Sequence, residues 1–152
     1  FTQLRNVDSL EVASGIEKKI WDTWVHRGDE LVDYHMSLGI RAMHAGDLKL
    51  SLHQFTTVIN LDQDFSEGWN KRATVHYMMG DLDKSFQDIE RTLALEPRHY
   101  GAISGMALIL DSIENTAGAL KAWQKVLVFT PYNQQIKNRI LQLKNEMLGK
   151  QI

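Results

Sequence analysis

Apolar residues along this chain fall at helical spacing in short blocks, and the blocks break at regular intervals. Trp69, Ala73, His76 and Tyr77 share one helical face; Gly80-Asp81 then interrupts, and Phe86, Ile89, Leu93 and Leu95 resume the pattern before Pro97. Glycine permits the turn and proline ends the second segment, so a helical hairpin is predicted. The same punctuation returns 34 residues later or earlier: Pro97 pairs with Pro131, Gly46 with Gly80, Asp47 with Asp81, Leu48 with Leu82, Ser51 with Ser85 and Leu61 with Leu95. A fixed period of that length marks a stacked-repeat architecture. The phase sets repeats at 32–65, 66–99 and 100–133 within one domain, with an amino-terminal capping helix over 1–31 and a carboxy-terminal one over 134–152. Where the two helices of each hairpin cross, the sequence places Gly39, Ala73 and Ala107 opposite Ser51, Ser85 and Ala119, small enough for close backbone approach. One hairpin cannot bury its apolar face alone. The predicted fold is therefore all-α, a right-handed α-α superhelical solenoid of three hairpins between two caps.

The flanks carry their own signals. Asp8 followed by Glu11 reads as a capping box, and Ile16, Ile20, Trp21, Trp24 and Val25 form one apolar stripe behind it. Asn133 is placed to cap a last helix whose apolar residues are Ile136, Ile140, Leu143 and Met147. Trp21 and Trp24 read as packing residues, with an exposed aromatic anchor for a partner as the functional alternative.

These positions resemble the tetratricopeptide repeat (TPR) family. Trp69, Ala73, Gly80, Ser85 and Pro97 stand where that family places its aromatic, small, turn, small and proline residues; Met106-Ala107, Ala119, Trp123 and Pro131 repeat the pattern, and Leu38-Gly39, Gly46, Ser51 and Phe55 begin it. Departures are His35 for the aromatic, Gln63 for the proline, Glu114 for the turn glycine and Arg72 at a commonly apolar position. The stretches Glu67–Thr74 and Leu95–Ala102 are similar to a subgroup of small bacterial and organellar repeat proteins. That likeness implies an exported protein, periplasmic or organellar, with the cytoplasm as the alternative.

Composition narrows the chemistry. In 152 residues there is no cysteine, which excludes disulfides, thiolate metal sites and cysteine nucleophiles, and no apolar run is long enough for a membrane span. The chain opens on Phe1 and not on Met, so a start, with or without a targeting segment, is expected to lie outside it. Net charge is −2, but the basic residues Lys121, Lys125, Lys137, Arg139 and Lys144 lie in a stretch free of acids between Asn115 and Asn145. Five charges so spread read as a solvated helical face and fall short of a nucleic-acid footprint.

No catalytic constellation emerges. His26, His35, His44 and His53 are nine apart, and nine helical residues turn through about 900°, so successive members face opposite ways. Metal and cofactor sites are expected to be absent. Asp62/Asp64 and Asp81/Asp83 fall in turns, where carboxylates cap the next helix. Gly101 and Gly105 leave room for a closely packed neighbour, and Arg72 is expected to pair with Asp88 inside its own hairpin.

The resemblance implies a non-catalytic interaction module whose concave face, lined by the first helix of each repeat, holds a peptide or helical segment of another protein. On those helices the groove-facing positions are Met36, Ile40 and Met43; Asn70, Thr74 and Tyr77; and Ser104, Leu108 and Asp111. The Lys/Arg/Asn clamp with which some family members grip a terminal carboxylate is missing, and Met36, Met43, Met78, Ile40 and Leu108 offer an adaptable apolar surface instead. The alternatives are a homo- or hetero-oligomeric assembly subunit working through its flanking helices, a groove filled by those same flanks, and, more remotely, an enzyme or nucleic-acid binder.

Overall fold

The structure, a computed structural model, describes residues 2–5 and 10–149; Asp8 of the expected capping box lies outside that range. Among the described residues there are helices and turns but no strand. The helices are α1 (Thr2–Arg5), α2 (Leu10–Val25), α3 (Glu30–His44), α4 (Leu48–Leu61), α5 (Ser66–Met78), α6 (Leu82–Leu95), α7 (Tyr100–Ser112), α8 (Thr116–Phe129) and α9 (Gln134–Gly149). They group into two compact units: a middle unit, Trp21–Ala102, and a terminal unit formed by Phe1–Ile20 with Ile103–Ile152.

The middle unit is two hairpins, α3–α4 and α5–α6, with α4 packed on α5. Asp29 starts α3 by accepting hydrogen bonds from the Leu31 and Val32 amides, satisfying donors that have no partner within the helix. At the other end Gly46 adopts φ +79°, its amide reaching the Met43 carbonyl while the Asp47 amide reaches that of Ala42. Asp47 then caps α4 through the Leu50 amide. Gly80 (φ +81°) and Asp81 repeat the arrangement between α5 and α6. The recurring Gly-Asp pair thus does two things: glycine takes the left-handed turn without a Cβ penalty, and aspartate restarts the chain.

The core of this unit is Val32, Met36, Phe55, Val58, Phe65 and Val75, with Val25, Ile40, Met43, Leu48 and Leu52 packed against it. Phe55 is fully buried, a side chain worth about 1.5–3 kcal/mol of transfer free energy. Gly39 makes room for it: a Cβ there would lie 2.6 Å from the Phe55 ring. The small crossing residues also carry a polar contact that spacing alone does not foretell. Ser51 donates its hydroxyl to the Gly39 carbonyl at 2.9 Å, and Ser85 does the same to Ala73 at 2.8 Å.

In the terminal unit α7 and α8 are joined by a turn in which Glu114 takes φ +57°, the conformation glycine adopts in the other two hairpins. Asn115 caps α8 through the Gly118 amide, and Asn133 caps α9 through the Ile136 amide. α9 lies against α8 and buries Ile136, Ile140 and Leu143, as its sequence stripe requires; α1 also touches α8. No described helix is long and apolar enough to cross a membrane.

Candidate partner-binding face

The nine expected groove residues separate by what their side chains already do. On α3, Met36 is fully buried in the core, whereas Ile40 and Met43 sit at its edge, partly exposed. On α5, Asn70 is buried and donates through Nδ2 to Glu67 Oε2 at 3.0 Å. One turn on, Thr74 is exposed, its hydroxyl donated to the Asn70 carbonyl, and Tyr77 is partly exposed. α3 and α5 lie side by side, so Ile40, Met43, Thr74 and Tyr77 are the members of the middle unit with surface to offer. In the terminal unit Ser104 is partly exposed and Leu108 is 43% exposed. Asp111 is engaged: Arg139 grips both its oxygens at 2.9 and 3.2 Å, and the Trp123 indole donates to it at 2.9 Å. Burial pushes the Asp111 carboxyl up, but the Arg139 and Trp123 hydrogen bonds outweigh it and hold the group below the usual carboxylate range.

Several charged groups of the middle unit are likewise spent internally. Arg72 makes the expected bidentate pair with Asp88, both bonds at 2.8 Å. His76 Nε2 stands 3.9 Å from the same carboxylate, and burial, opposed by Asp88 and reinforced by Arg72, lowers its pKa below 6.5. Asp62 of the first carboxylate pair accepts from Arg27 at 2.6 Å, while Asp81 of the second caps α6 and binds Lys84. Of the other histidines, His35 meets Gln54 and His99 meets Glu67.

A second constellation escaped the sequence reading. Glu67 and His99, 32 residues apart, are both fully buried, and His99 Nε2 lies 2.6 Å from Glu67 Oε2. The Ala102 amide donates to His99 Nδ1 at 3.1 Å, which leaves the proton on Nε2 and makes Glu67 the acceptor. Lys71 supplies the counter-charge to Glu67 at 3.2 Å. On this fixed imidazole lies Trp24, stacked at 4.0 Å between ring centroids and 13° between planes. Trp21 stands edge-on to Trp24, His99 and Tyr100, under the Lys71 ammonium. The neighbour for which Gly101 makes room is Trp21, whose Cη2 would be 2.5 Å from a Cβ at that position. The available signal was the i, i+3 relation of Glu67 to Asn70 and the tryptophan pair at the same spacing; the link to His99 is tertiary.

No protein-family model matches the chain. A TPR repeat-containing protein of Rhizobium etli is 34% identical over 149 residues, 98% of this chain and 73% of that protein. The chain belongs to the tetratricopeptide repeat family. Among solved structures, the first TPR of Spaghetti, bound to the HSP90 peptide SRMEEVD, superposes with a TM-score of 0.73 at 15% identity, over 78% of this chain and 94% of that one. The complex of the TPR2B domain of yeast Sti1 with an Hsp70 peptide gives 0.70 at 13% identity, over 78% and 99%. These two likenesses establish the fold.

Proposed function

We propose that this chain is a non-catalytic interaction module that holds a peptide or helical segment of a partner protein, with Ile40, Met43, Thr74 and Tyr77 forming the contact surface of the middle unit. The observation carrying this reading is the contrast in side-chain commitment on α3 and α5. Arg72, Asn70 and Glu67 are bonded internally, while a thioether, an aliphatic chain, a threonine and a tyrosine remain accessible on neighbouring helices. Adaptable apolar groups beside a phenol suit an amphipathic helix or an extended apolar segment. Membership of the family supports it, as does the peptide held by the Spaghetti domain. In the terminal unit Leu108 offers further apolar surface. The test is parallel affinity capture from native extract with the wild type and with Tyr77→Ala/Thr74→Arg, both of equal helical circular dichroism. A partner held by the first and lost from the second is the expected result; partners retained equally by both would move the working surface elsewhere.

A second reading has its own observation. On α9, Leu141 and Leu148 are 60% and 62% exposed and alternate with exposed Lys137 and Lys144 along one face. An assembly role through that face predicts a mass that rises with concentration and is restored to the monomer by Leu141→Glu/Leu148→Glu.

A further inference from the structure

The Trp21–Trp24 turn of α2 rests on a surface that has the features of a receptor. His99 is locked before any ring arrives, since the Ala102 amide and Glu67 fix its two nitrogens and Asn70 and Lys71 fix Glu67 in turn. Beside it Gly101 leaves a slot that only the absence of a side chain provides. The two indoles read this surface differently: Trp24 lies flat on the imidazole, whereas Trp21 enters edge-on with a lysine ammonium over its ring. A flat stack, an edge contact and a cation over a ring are geometries selective for large aromatic side chains, and the last favours an electron-rich one. Both occupants come from one helical turn, three residues apart.

Neither occupant is sealed in. Trp21 and Trp24 are only partly buried, whereas Glu67 and His99 beneath them are fully so. The chain just after α2 is tied down independently: Arg27 bonds Asp62 and lies over the Phe65 ring, and its amide donates to Asp33. Between these anchors and the tryptophans stand Val25, which packs against the edge of the core, and His26. The Arg27 anchor thus holds the chain to the α3–α6 hairpins whether or not the turn is seated, and as a tether it keeps the turn at high local concentration.

We propose that the cradle of Glu67, Asn70, Lys71, His99, Tyr100 and Gly101 is a recognition site for a partner helix bearing two aromatic residues one turn apart, and that Trp21 and Trp24 of α2 are the resident occupants such a helix displaces. This rests on the interaction-module reading and gives it a ligand class and a built-in competitor. The resident turn and the partner's aromatic pair exclude each other, so the affinity measured on the intact chain is reduced by the occupancy of the resident.

The probe is a fluorescein-labelled peptide of residues 10–27, titrated into the full chain in three forms: wild type, Trp21→Ala/Trp24→Ala, and that double variant with Gly101→Leu added. Saturable binding to the double variant is expected, at least about tenfold weaker on the wild type because its own tethered turn competes. Gly101→Leu should abolish binding by filling the slot, and a peptide with both tryptophans replaced by alanine should not bind. A fourth form, Trp24→Ala alone, is the milder opening and should bind with intermediate affinity. Absence of binding to a folded double variant would overturn the proposal, as would equal binding to all three forms. Failure of both the single and the double variant to fold would overturn it too, by assigning the indoles to the core. If the peptide fails while capture of a native partner still depends on Tyr77, the cradle is wrong and the module stands. If the peptide binds the cradle and no capture depends on Tyr77, the cradle stands and the α3–α5 surface assignment falls.

Discussion

Replacing Arg72 with methionine keeps most of the side-chain volume and removes one partner of a largely buried ion pair. Two hydrogen bonds of 2.8 Å are lost, and the Asp88 carboxylate, its side chain 6% exposed, is left with His76 as the nearest cationic candidate at 3.9 Å. Breaking a fully buried pair costs about 3–5 kcal/mol. Arg72 is 20% exposed, so water reaches the vacated position, and the expected loss near neutral pH is about 2–3 kcal/mol. The pH dependence gives a sharper signature. In the wild type His76 is held below 6.5, chiefly by burial and further by Arg72, so the unfolded chain takes up a proton that the folded one refuses; stability falls as pH drops through 6.5. Without Arg72 the folded His76 is more readily protonated and its cation faces Asp88, so the variant loses less on acidification. Urea unfolding of both proteins at about pH 8 and about pH 5.5 measures this directly, and the gap between them should narrow at the lower pH. A gap below about 1 kcal/mol, or one independent of pH, would refute the assignment of Arg72 as the partner that makes Asp88 tolerable in the interior.

Further predictions concern glycine positions, the third turn and the α9 contact. Gly39→Ala should lose about 1–3 kcal/mol by forcing Phe55 aside, whereas Gly15→Ala, with no atom within 4 Å of the new Cβ, should gain about 0.5–1 kcal/mol; thermal melts compare the two. Glu114→Gly should raise stability by about 1 kcal/mol by relieving a left-handed non-glycine residue, and an unchanged melt would mean that turn is not strained. Ser85→Ala should cost about 1 kcal/mol through the lost bond to the Ala73 carbonyl, read by urea unfolding against the wild type. Asp111→Asn should cost about 1–2 kcal/mol at neutral pH. Because that carboxyl is held below its ordinary range, its contribution is present above the ordinary pKa and disappears as pH falls through the folded one; the variant and wild type should converge in acid titrations monitored by circular dichroism.

Helices and turns were legible because each rests on local chemistry. Gly80 followed by Asp81 specifies a left-handed turn and then a cap wherever it occurs, and the lag to Gly46-Asp47 makes the repetition visible. Arg72 was readable for a similar reason: an arginine at an apolar position requires a carboxylate, and its own hairpin supplies one. The binding face was harder. Periodicity puts Met36 with Ile40 and Met43 on one face of α3, yet only the packing of Phe55 and Val58 decides that Met36 belongs to the core. Asn70 looked available because its partner Glu67, though one turn away, is committed through the tertiary link to His99, and Asp111 because Trp123 and Arg139 reach it from other helices. The tryptophan cradle is hidden for the same reason, although Gly101 marks a position of close approach in the sequence.

A chain of near-copies must avoid joining the wrong helices, since α5 is preceded by α4 and followed by α6, which hold the same place in successive repeats. The serine hydroxyls at the crossings cannot discriminate, because Ser51 and Ser85 make the same bond to equivalent carbonyls. The residues that break the repeat can. Shifted by one period, Arg72 corresponds to Leu38 and Asp88 to Gln54. If α3 took α6 as its hairpin partner, Leu38 would face a carboxylate with no counter-ion; if α5 took α4 in place of α6 as its hairpin partner, in the register of the native α5–α6 crossing, the arginine would meet only an amide. The ion pair therefore acts as an address within the molecule, penalising each mispaired hairpin while leaving the native one satisfied. The departure at Arg72, which weakens the family pattern in the sequence, helps to make one repeat distinguishable from the next while the chain folds.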